Sequence, residues 1–137
     1  MLGGFLRMEA VVDLDASSST VASTFKVPAA GYINVKQIFG RFEEAVASGG
    51  FSSTAGVASV KVGSLEVATW STGVAATARS IGDTVQVTVD GTNVTDANGV
   101  IKVAAGDAIT VNTKTQGAGG TVTGTLRFYI PIDLNLG

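Results

Sequence analysis

The residues best placed to do chemistry are the acids. Gly82-Asp83 and Gly106-Asp107, with Asp90 and Asp96, set carboxylates at four turn-like positions. Calcium takes six to eight oxygens, usually from several carboxylates gathered in one loop. Here the acids are scattered singly, so they read as turn formers that bond their own backbone. Glu43-Glu44 is the only adjacent acid pair. Neighbours on a strand point to opposite faces, so these two cannot close on one glycosidic bond. The chain has no His and no Cys. That removes the commonest general base near neutral pH, the thiol nucleophile and any thiolate metal site. The expectation is a protein that is not an enzyme, with no catalytic residue, no metal and no cofactor.

Two further motifs weigh little. Asn93-Val94-Thr95 matches a glycosylation sequon, but no secretory leader accompanies it. Gly117-Ala118-Gly119-Gly120 lacks the following Lys-Ser/Thr of a phosphate loop. The aromatic residues say more. Trp70, with Tyr32 and Tyr129, is suited to an aromatic platform for sugar or to a subunit contact. If Leu65 and Val67 face the core, strand alternation puts Trp70 on the outer face, where protein contact is the preferred reading.

Charged residues are 15% of the 137, against about 25% in ordinary soluble domains, and mean hydropathy is +0.39. Few charges and a net charge of −2 protect a dispersed monomer poorly. This favours a surface covered in an oligomer or lattice over one merely coated by Ser, Thr and Asn. Nine cationic side chains spread along the chain make no phosphate-binding stripe, so no nucleic-acid partner is expected. No apolar run approaches the roughly 18 residues of a membrane span. Neither a basic leader nor a signal-length apolar stretch opens the sequence, and no membrane or Sec export is expected.

The elements that must carry these residues are strands. Leu126, Phe128, Ile130, Ile132, Leu134 and Leu136 alternate with Arg127, Tyr129, Pro131, Asp133 and Asn135. Leu6, Met8, Ala10, Val12 and Leu14 do the same near the start, with Val11 out of step. Period two means extended chain with one oily and one wet face. Between them, strands are expected over Thr20–Val27 and Tyr32–Phe39. Arg41–Ala47 continues the second of these or makes one helical turn. Val57–Trp70 reads as a hairpin closed by Gly63-Ser64. Ile81–Val89 and Ala105–Thr113 echo each other, each leaving a Gly-Asp turn as an alternating strand, which suggests equivalent corners of two packed sheets. The whole, residues 1–137, reads as one all-β domain: a two-sheet β-sandwich of jelly-roll type with about eight to ten strands and extended terminal segments. Pro131 cannot donate a ladder hydrogen bond. Residues 131–137 are therefore expected to form a C-terminal arm, with Ile132, Leu134 and Leu136 docked on a neighbour. With Trp70 and Tyr129 these are the candidate interface residues.

The order of features carries a resemblance. It runs from the corner Val27-Pro28-Ala29-Ala30-Gly31-Tyr32-Ile33 through the Val60-Lys61-Val62-Gly63 hairpin. Two Gly-Asp strands and a Gly-rich loop follow, before Gly124-Thr125-Leu126-Arg127-Phe128-Tyr129-Ile130-Pro131. In this grammar, across most of its length, the chain resembles the small jelly-roll decoration (cement) proteins of tailed bacteriophage heads. The resemblance implies a non-enzymatic virion protein, made in the host cytoplasm and bound to the capsid exterior. It further implies the major capsid protein as partner and a homotrimer that stabilises the expanded shell. The alternative is a carbohydrate- or receptor-binding sandwich from a phage tail or fibre.

Overall fold

The computed structural model describes residues 3–13, 21–45, 56–71, 80–113 and 125–135. Among them are eleven strands: β1 (Gly3–Asp13), β2 (Val21–Lys26), β3 (Gly31–Asn34), β4 (Phe39–Phe42), β5 (Gly56–Val62), β6 (Leu65–Ser71), β7 (Thr84–Gln86), β8 (Thr88–Val89), β9 (Val100–Val103), β10 (Ala108–Thr113) and β11 (Thr125–Asn135). A single 3-10 turn, Val35–Gln37, separates β3 from β4.

The pairing is nested. β5 and β6, joined through Gly63-Ser64, form the innermost hairpin. Outward from it, β4 pairs with β7, β3 with β9, β2 with β10 and β1 with β11, all antiparallel. The chain is one long hairpin wound on itself. Its arms are divided between two sheets, one holding β1, β11, β3, β4, β7 and β9, the other β2, β10, β5, β6 and β8. That is the jelly-roll sandwich expected from the alternating pattern.

The strand count exceeds eight to ten because two expected strands are broken. Tyr32–Phe39 is interrupted by the 3-10 turn, whose first residues are held by Asn34, its side chain accepting from the Lys36 N–H at 3.1 Å. The strand opposite β11 consequently shifts register by three residues, from Tyr32 opposite Asp133 to Phe39 opposite Tyr129. Thr84–Val89 is broken at Val87, and its halves β7 and β8 join different sheets. Of Arg41–Ala47, Arg41 and Phe42 continue as strand in β4, which ends there; 43–45 are bend and coil, and residues 46 and 47 lie outside the described residues.

The two Gly-Asp corners are equivalent in their hydrogen bonds. At the first, Gly82 N–H donates to Phe42 C=O and Phe42 N–H to Asp83 C=O. The Asp83 carboxylate accepts from Ser80 N–H at 2.8 Å. At the second, Gly106 N–H donates to Val27 C=O and Val27 N–H to Asp107 C=O. The Asp107 carboxylate accepts from Ala104 N–H at 2.8 Å. Both glycines sit at positive φ, 91° and 88°, where a side chain would be strained. One corner clips the end of β4 and the other the end of β2, so each sheet has one.

One core lies between the sheets. Phe42, Phe128, Ile33, Ile38, Ile109, Leu126, Ile130 and Ile132 are its largest fully buried side chains. Each contributes roughly 1.5–3 kcal/mol relative to exposure. The even positions of β1 and β11 supply both sides of the longest pairing, Val12 opposite Leu126 through Leu6 opposite Ile132.

Candidate interaction surface

The apolar faces of β1 and β11 are spent on the core, so a surface for recognition on these two strands is built on their odd residues. The register lays these out in rows across the outer face. Phe5, Asp133, Tyr32 and Lys102 form one row. Glu9, Tyr129, Phe39 and Gln86 form another, and Val11, Arg127, Arg41 and Thr84 a third. Tyr129 stacks on Phe39 with ring centroids 4.9 Å apart and planes at 24°. The Arg7 guanidinium lies 4.8 Å from the Tyr129 centroid, in cation–π range. Phe5 is 65% exposed and Tyr32 43%. The face is therefore a mixed surface of aromatic rings and single charges.

One ion pair organises its far end. Arg127 and Arg41 are directly opposite across the strands, a like-charge placement that costs energy unless answered. Glu43 answers it, accepting a hydrogen bond from Arg127 Nε. That bond holds the Glu43 carboxyl below its ordinary pKa, against a smaller opposing effect of desolvation, with the charges of Arg127 and Arg41 adding to the lowering. The same bond raises Arg127. Both side chains are about a third exposed, so the pair orders the surface more than it stabilises the fold.

Of the expected interface residues that fall among the described residues, only Tyr129 lies on this outer face. Trp70 is a correction: it is 7% exposed and turned inward, edge-on to Phe42 and Phe128 at 5.8 and 6.5 Å. The reason is a β-bulge. Val60 pairs with Ala68 but Lys61 pairs with Glu66, leaving Val67 as an extra residue. One extra residue flips the alternation. Val67 and Trp70 are thus both buried although their parities differ, and Leu65 is left 45% exposed.

The C-terminal arm is a second correction. Residues 131–135 continue β11, paired with β1 as far as Asn135, and Ile132 and Leu134 are buried in their own chain. Pro131 misled because a central strand also has places without a ladder bond. Thr125 C=O accepts from Glu43, and Asn135 N–H donates to Ala30. The odd residues of β11 therefore direct their backbone groups toward β3 and β4. Pro131 falls between those two partners, opposite the 3-10 turn, where a missing N–H costs nothing. Nearby, a side chain at Gly31 would lie 2.0 Å from Asp133 O, so only glycine permits that approach. Leu136 and the Gly117–Gly120 loop lie outside the described residues.

The remaining motifs are absorbed by the fold. Asp90 accepts from Thr92 and Asn93 N–H, and Asp96 from Asn98 and Val100 N–H. With Asp83 and Asp107, each of these carboxylates holds its own turn, as expected. The sequon nitrogen, Asn93 Nδ2, donates to Glu66 C=O at 2.8 Å and is half-buried. Sequence reasoning put Arg7 on the wet face of the first strand but did not single out either Arg7 or Phe39 as part of this surface. Their parity beside Tyr129 is the signal that identifies them. No family model matches this sequence, and no curated protein matches it as a relative.

Proposed function

We propose that this chain is a non-enzymatic structural protein of a tailed-phage virion. It decorates the outside of the head, binds the major capsid protein and stabilises the shell, acting as a homotrimer. The observation that carries this reading is the division of labour in the fold. The acids at Asp83, Asp90, Asp96 and Asp107 are occupied in holding turns. The broad outer face around Phe5, Arg7, Tyr32, Phe39 and Tyr129 is left for contact. A charge-poor chain with such a face is suited to standing in a lattice. The phage assignment and the trimer come from the resemblance in sequence grammar.

The test is co-sedimentation with phage heads stripped of decoration, before and after expansion. Stoichiometric binding to expanded heads, weakened by Tyr129→Ala and Phe5→Ser with folding intact, is the expected result. No binding to any expanded head, or binding indifferent to both changes, overturns it. The second reading, a sugar- or receptor-binding module of a tail or fibre, is favoured by the exposed Tyr32 and the Phe39–Tyr129 stack. A glycan-array signal lost on Tyr32→Ala selects it.

A further inference from the structure

Among the described residues, β1 stands at the edge of its sheet. Since the odd residues of β11 direct their backbone groups toward β3 and β4, its even residues direct theirs toward β1. The register pairs even with even, Leu6 with Ile132 through Val12 with Leu126. The N–H and C=O groups of Phe5, Arg7, Glu9 and Val11 therefore point away from the sheet, and among the described residues no strand pairs with them. An eleven-residue edge free of proline is an open template for another strand.

We propose that this edge is completed by β1 of a second copy, antiparallel about a two-fold axis at Met8. The outward side chains choose the occupant and the register. With the axis at Met8, Arg7 of each copy faces Glu9 of the other, and Phe5 faces Val11. Arg7 and Glu9 already lie 3.9 Å apart within one chain, so the axis gathers two cations and two anions in alternation. Every odd residue then meets an odd residue, and the free N–H and C=O groups exchange bonds in hydrogen-bonded pairs. Moving the axis to Arg7 sets Arg7 against its own copy, and moving it to Glu9 does the same with Glu9. Both are like-charge pairs and unfavourable. An axis between residues opposes odd to even and forfeits the bonds. Such a contact is isologous, the same patch on both copies. It also brings Phe5 against Val11, both exposed large apolar side chains.

The inference stands apart from the capsid reading, and one measurement separates them. Sedimentation of the full chain at rising micromolar concentration should show even-numbered assembly. That means a dimer, or a hexamer if the two-fold joins the proposed trimers. A monomer throughout, or a trimer alone, overturns the β1 contact, and a trimer alone leaves the capsid reading standing. Arg7→Glu and Glu9→Arg should each weaken the two-fold association about tenfold or more. An equimolar mixture of the two variants should restore it, because each like-charged edge then meets its opposite. Val11→Pro removes an N–H that donates no hydrogen bond among the described residues. It should keep the circular dichroism of the native fold while abolishing the contact. Wild-type association in either single charge variant, no recovery on mixing, or undisturbed assembly by a folded Val11→Pro chain overturns the proposal.

Discussion

Trp70 and Glu43 show how differently two residues of similar prominence in the sequence are used. Trp70 fills the space between the sheets, so its removal is a core event. Trp70→Ala should cost about 3–5 kcal/mol, read as a large drop in the urea midpoint. If stability holds and only assembly changes, the packing against Phe42 and Phe128 has been misjudged. Glu43 sits at the surface, where its hydrogen bond from Arg127 lowers its pKa. A lowered carboxyl contributes stability above its unfolded pKa, about 4.3, and loses it as pH falls through the folded value. Glu43→Gln should therefore narrow the stability gap to wild type on acidification below about pH 4.3, while the gap at pH 6–8 stays constant. Denaturant titrations of both proteins across that range check the sign. A gap that widens in acid sinks the argument.

At the scale of elements, β11 was legible as a strand but not as a central one. Its alternation is complete, and the structure buries Leu126, Phe128, Ile130, Ile132 and Leu134 as that pattern demands. What alternation cannot convey is who stands on either side, and Pro131 argued for an edge. The gap between β3 and β4 that accommodates it depends on a three-residue turn elsewhere in the chain. The Trp70 reading failed similarly, because a bulge is a property of two strands in register and leaves no mark in either sequence alone. The hairpin at Gly63-Ser64 and the Gly-Asp corners were legible because their chemistry is local: positive φ at glycine, and a carboxylate bonding nearby N–H groups. Removing residues 132–137 strips Ile132 and Leu134 from the core, ends the pairing with β3 and leaves Gly3–Leu6 of β1 without partners on β11. Truncation should therefore unfold the protein instead of merely freeing a docking arm. Loss of the β-sheet circular dichroism signal and of a cooperative thermal transition is the expected result. A truncated chain that melts like the full one would restore the arm.

The whole molecule is a set of nested pairs, and nesting orders the entropy of closure. Joining β5 to β6 closes a two-residue turn, whereas joining β1 to β11 pairs Asp13 with Thr125. Loop closure costs more for longer loops, although only logarithmically. The outer pair becomes inexpensive once the inner ones have drawn its ends together. Topologies dominated by such distant pairings fold in milliseconds to seconds. The inner hairpin should therefore be formed in the folding transition state and the terminal pair added late. Val60 and Val12 allow a matched comparison, since both are buried valines on paired strands, opposite Ala68 and Leu126 respectively. Each Val→Ala change should cost about 2 kcal/mol, enough for reliable kinetics. Val60→Ala should mainly slow folding, and Val12→Ala should mainly speed unfolding. Stopped-flow chevrons of the two variants decide it. If Val12→Ala slows folding more than Val60→Ala, the chain ends meet first, and the roll closes from the outside in.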